Sequence, residues 1–165
     1  MSVRFTDKVT PDGERLMREL RELTGLEVFV GFQRGKRHKK KSGSKTRKKS
    51  PKMIDIVAWN ELGTSRGIPE RPFIRQTVDN HQSEIEQAKK AIVATVLKGE
   101  TARRAAASFG AWAVDLMANE IDTGGFAENA DITKALKESS VPLIDTGQMK
   151  QAIRYIIRKK GSGKE

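Results

Sequence analysis

The spacing of apolar residues changes several times along this chain, and each change marks an element. Val3 and Phe5 alternate with polar neighbours, which predicts a first short strand over residues 2–6. Thr10 then precedes Pro11, a hydroxyl N-cap followed by a residue whose missing N–H costs nothing at the first helical position. Leu16, Leu20 and Leu23 recur at i, i+4, i+7, and Gly25 is placed to end this helix. Residues 26–32, rich in β-branched and aromatic side chains, read as a strand. A short helix is expected over residues 53–62, with Ile54, Val57, Ala58 and Leu62 turned inward and Gly63 ending it.

The strongest helical pattern comes next. Ile74, Val78, His81, Ile85, Ala88, Ile92 and Thr95 alternate spacings of four and three, a narrow seam along one helix over residues 74–97. A second helix over residues 101–122 turns Ala102, Ala105, Phe109, Ala113, Leu116 and Ile121 toward it. The link between them is so short that the pair must double back as an antiparallel hairpin. Residues 126–142 are polar and loop-like, and a turn over residues 145–147 then buries Leu143 and Ile144 and caps a short helix at 148–151. A strand over residues 152–158 closes the ordered part, and residues 159–165 should fray. The expected fold is a single α+β domain spanning residues 1–165. A small antiparallel or mixed sheet from residues 2–6, 26–32 and 152–158 is packed by the N-terminal helix and the hairpin.

Charge changes this picture in one place. Residues 34–52 hold 11 Lys or Arg and no acid: Arg34, Lys36, Arg37, Lys39, Lys40, Lys41, Lys45, Arg47, Lys48, Lys49 and Lys52. Taking these from the 32 basic residues leaves 21, equal to the 21 acidic ones, so the net charge of +11 belongs to the insert and the rest is neutral. With no apolar side chain to bury, the insert reads as a flexible loop. Such a run attracts phosphate without regard to sequence through counterion release. It contains no aromatics on which bases could stack, so it faces DNA or an acidic surface without reading bases. A solvated loop that merely tolerates its charge is the alternative.

Catalytic chemistry finds no constellation here. The absence of cysteine excludes disulfides and thiolate zinc sites. His38 lies among lysines, and His81 lies on the seam of the long helix, where a packing or interface role is expected. No nucleophile triad, phosphate-binding glycine loop or paired-histidine zinc motif is found. Asp115, Glu120 and Asp122 cluster near a helix end, but with no histidine expected beside them a metal site is a poor reading. No cofactor is expected, and no signal segment or membrane helix, so a soluble intracellular product is.

Three segments carry a resemblance when taken in order. They are Val28-Phe29-Val30-Gly31-Phe32; then Ile56 to Thr64 with Ile68 to Arg75; then Pro142 to Ile153. Together they resemble the tail-completion or head–tail joining family of tailed bacteriophages. In that family a VGF strand, an A-x-x-N-E-x-G-T helix end, an I-P-x-R-P-F segment and a P-L-I-D-T-G-x-L turn recur in this order. The resemblance spans roughly residues 26–158. This chain has Glu70 where alanine is usual and Met149 where leucine is, and its insert is longer and more basic.

The resemblance implies a structural virion protein at the neck or tail top, made in the host cytoplasm and assembled into a homo-oligomeric ring. Six subunits are the first expectation, with other neck, connector or tail proteins as partners, packaged DNA as a non-specific contact of the insert, and no membrane. Trp59, Asn60, Glu61, Gly63, Thr64, Pro69, Arg71, Pro72, Phe73, Asp145, Thr146 and Gly147 are its expected interface residues. The residues alone give a partly different view. Pro69 and Pro72 stiffen their segment, so Arg71 and Phe73 either meet a partner or, for Phe73, start the long helix and plug the core. A sequence-independent nucleic-acid-binding protein is the alternative function, and a metal-dependent enzyme using Asp115 and Glu120 a distant third.

Overall fold

The computed structural model describes residues 9–32, 51–65, 67–127 and 147–162. These contain α1 (Pro11–Thr24), β1 (Leu26–Phe32), α2 (Met53–Leu62), α3 (Phe73–Asn80), α4 (Gln82–Leu97), α5 (Ala102–Thr123), one 3₁₀ turn (Lys150–Ala152) and β2 (Ile153–Lys159). The fold is α+β, with five helices and a two-stranded antiparallel sheet among the described residues. The expected strand at 2–6, the insert up to residue 50 and the segment 128–146, with Leu143 and Ile144, lie outside them.

Local chemistry sets the helix ends. The Thr10 hydroxyl accepts from the Gly13 N–H at 3.2 Å, as expected of its N-cap position. Thr101 does the same for Arg104 at the start of α5. A glutamate from α1 adds a cap across the chain, since Glu19 Oε2 accepts from the Ala102 N–H at 2.8 Å. Arg15 reaches the Gly99 carbonyl at 3.1 Å and Arg103 pairs with Glu22 at 3.1 Å. These contacts fasten α1 to the closed end of the α4–α5 hairpin.

In the sheet, Phe32 pairs with Ile153, Val30 with Tyr155 and Val28 with Ile157. Side chains alternate across a strand, so this set lies on one face, the one α5 covers. The strand and helix approach most closely at Gly110, where an added Cβ would fall 2.5 Å from the Tyr155 ring. The other face carries Phe29, Ile156, Arg154 and Arg158, with the Arg158 guanidinium 5.8 Å from the Phe29 ring centre. The core lies where α2, α3, the C-terminal half of α5 and the ends of both strands converge on Met53, Val57, Phe73, Met117, Ile121 and Ile153. Phe32 and Phe73 meet there edge to face, with centroids 6.0 Å apart.

Four expectations need correction. The helix over 74–97 is two helices, broken at His81, and it starts one residue earlier at Phe73. The buried position of its first part is Thr77, whereas Val78 is exposed. At the C-terminal end the short helix is a 3₁₀ turn at 150–152, and β2 runs through Lys159, so the chain is ordered one residue past the expected fraying point. Finally, Ile54, Ala58 and Leu62 of α2 face outward, because Met53, Val57 and Glu61 occupy the inner face.

Candidate interface site

The segment from Asn60 to Arg75 folds back on itself as a bracket around the start of α3. Gly63 makes the reversal possible. Its φ of 67° is one that side-chained residues rarely adopt, and a Cβ there would lie 3.1 Å from the Glu70 backbone nitrogen. Thr64 and Ile68 close the loop: the Thr64 N–H donates to the Ile68 carbonyl at 2.9 Å, and the Ile68 N–H donates to the Thr64 hydroxyl at 3.2 Å.

Glu61 joins the two helices. Its carboxylate accepts from the Ile74 N–H at 2.9 Å and the Arg75 N–H at 3.1 Å, the donors that the first turn of α3 leaves unpaired. Arg75 also reaches Glu61 through Nε at 3.4 Å and pairs with Glu70. Glu70, more than Glu61, raises the guanidinium of Arg75 above its ordinary value. Glu61 is only 8% exposed, a buried carboxylate that is nonetheless well bonded.

Arg71 forms the second tie. Its N–H donates to the Asn60 carbonyl at 2.6 Å, its Nε to the Ala127 carbonyl at 2.7 Å and its NH1 to Asn60 Oδ1 at 3.0 Å. The Asn60 amide is oriented by donating to the Ile56 carbonyl at 2.8 Å. Burial lowers the Arg71 pKa, yet a guanidinium remains charged. The side chains of Asn60, Glu61, Arg71 and Phe73 are therefore engaged within the chain, with Phe73 wholly buried as the core plug at the start of α3. Trp59 and Pro69 are exposed, and Gly63, Thr64 and Pro72 are half-buried around them. Gly147, with φ 68°, accepts from the Gln151 N–H at 3.0 Å, while Asp145 and Thr146 lie outside the described residues. So do the basic residues from Arg34 to Lys49; Lys52 is described, exposed at the start of α2, where Asp55 accepts its N–H at 3.2 Å.

This bracket turns α2 inside out. Asp55, Asn60 and Glu61 bond to backbone and to neighbouring elements, while Ile54, Trp59 and Leu62 are 36%, 42% and 69% exposed. Ile54, Ala58 and Leu62 succeed one another at i, i+4, i+8 and form a ridge, with Trp59 beside them. A helix with apolar residues on every side is normally buried on every side, and α2 is covered on one only. A second apolar surface lies on the hairpin. Ala88, Ala91 and Ile92 of α4 face Ala105, Phe109 and Trp112 of α5 across an open groove of about 630 Å³. Phe109 and Trp112 stack at 5.6 Å along one wall.

The break at His81 is a polar junction. The imidazole meets Glu84 at 2.7 Å through Nδ1 and Glu120 at 3.1 Å through Nε2, and the Asn80 amide donates to Glu120 at 3.0 Å. Glu120 is 4% exposed. Sequence reasoning placed no histidine beside Glu120, because the helix break that swings His81 toward α5 was not visible in the spacing. The hydrogen bond to Glu84, then that to Glu120, holds the imidazole above its ordinary pKa. Asp122 is drawn off to Lys150 at 2.8 Å and Asp115 is exposed. Among the described residues no group of three or more His, Asp or Glu could hold a metal ion, and no helix is long and apolar enough to cross a membrane. No protein-family model matches the chain, and neither does any curated protein or any solved structure.

Proposed function

We propose that this protein is a structural subunit of a tailed bacteriophage, forming a ring of about six copies at the head–tail junction or tail top, where it joins other neck or tail proteins. The ordered resemblance of residues 26–158 supplies the phage reading. The observation that carries self-assembly is the inverted face of α2, polar groups inside and Ile54, Trp59 and Leu62 outside. The bracket from Asn60 to Arg75 holds this ridge rigid, which lowers the entropy lost when it docks. Residues expected to touch a partner thus act through posture: Asn60, Glu61 and Arg71 hold the ridge that does the touching. Electron microscopy of the purified protein and of virions should show a closed ring and a subunit at the neck. A lone monomer absent from the particle would refute the reading.

The concentration of charge in residues 34–52 favours one other function, a sequence-independent nucleic-acid binder. Removing residues 34–52 separates the two. A nucleic-acid binder loses its affinity for DNA, whereas a ring subunit keeps its fold and its assembly.

A further inference from the structure

Resting on the ring reading above, we infer that the ridge of α2 on one copy seats in the groove between α4 and α5 of the next. The two surfaces are opposite in shape and alike in chemistry. One is a convex row of Ile54, Ala58 and Leu62 flanked by Trp59, and the other a concave strip of small side chains backed by Phe109 and Trp112. They lie on different parts of the molecule. The ridge sits over the core at the far end of the hairpin, whereas the groove runs along its middle toward the closed end. A copy can therefore use both at once, each with a different neighbour, which is the requirement for a head-to-tail contact that closes into a ring.

The occupant is a second copy of this chain because both halves of the fit are present on one molecule. The chain has two tryptophans, and one lies on each surface: Trp59 beside the ridge and Trp112 in the groove. Tryptophan is the residue most concentrated at the energetic centre of interfaces, where its large ring is desolvated by a partner. A small polar ligand is a poor fit to the groove, since Gln87, Thr95 and Ser108 are spread along it rather than converging. Groove and ridge present few charges, so the contact should withstand salt that would weaken an ion-paired one.

The absence of cysteine makes the test clean. Leu62→Cys and Ala91→Cys alter exposed side chains, one on the ridge and one in the groove, and should leave the melting temperature unchanged. Mixed and mildly oxidised, the two variants should form a disulfide between unlike chains, while each alone stays uncrosslinked. A chain carrying both substitutions should give a ladder of covalent multimers ending at the ring size. Self-crosslinking of Leu62→Cys would mean α2 packs on α2 about a two-fold axis and would overturn the inference. So would a mixture that sediments as an oligomer yet forms no mixed disulfide, leaving the ring reading intact with a different contact. A mixture monomeric at every concentration would remove both.

Discussion

At the scale of single residues, the site is built from buried polar groups whose partners are backbone. Glu61 is the clearest case, because two N–H groups of α3 depend on its carboxylate. Glu61→Ala leaves both donors without it, and urea titration should show a loss of about 1–3 kcal/mol, the range for stranding a buried group. Gly63→Ala should cost about 1–2 kcal/mol, from the positive φ together with crowding against Glu70. Sequence reasoning identified both residues as a glycine-ended helix whose polar side chains bond the adjoining loop. It could not see that the carboxylate would cap another helix, because Glu61 and Ile74 are 13 positions apart and only the loop reversal brings them together.

At the scale of elements, the pattern of apolar residues was a good guide to where helices and strands lie and a poorer one to which way they face. Residues 11–24 and 26–32 carried their caps and composition openly, and both elements stand as read. For α2 the spacing was ambiguous, since an apolar residue occurs on every side of the helix and two opposed faces fit equally well. The choice was made by Glu61 and Asn60, whose partners on α3 and its approach pull the polar side inward. The seam over 74–97 hid its break for a related reason: His81 and Asn80 occupy helical positions but bond outward to Glu120. This junction has a pH signature. Because the folded imidazole titrates above its ordinary 6.5, the native state binds a proton more tightly than the unfolded chain. That contribution to stability is complete below about pH 6.5 and is lost as pH rises through the higher folded value. Melting curves from about pH 6 to about 8.5 should show this decline, and His81→Gln should flatten it.

At the scale of the whole molecule, a neutral body carries one cationic excursion, and the two should be separable. Deleting residues 34–52 should leave thermal stability and assembly unchanged while abolishing most of the salt-sensitive attraction to DNA, measured by fluorescence anisotropy at about 50 and about 200 mM salt. The α+β architecture was legible from the sequence because its strands and hairpin are each locally encoded. The groove was not, since it exists only where α4 and α5 diverge and neither helix records that gap in its own spacing. The account turns on the outward face of α2, and sedimentation equilibrium across a wide concentration range tests it most directly. The native chain should settle as one closed oligomer, and Trp59→Ser with Leu62→Asp should settle as a folded monomer of unchanged melting temperature. A native chain that stays monomeric throughout, or a doubly substituted chain that assembles as well as the native one, would contradict it.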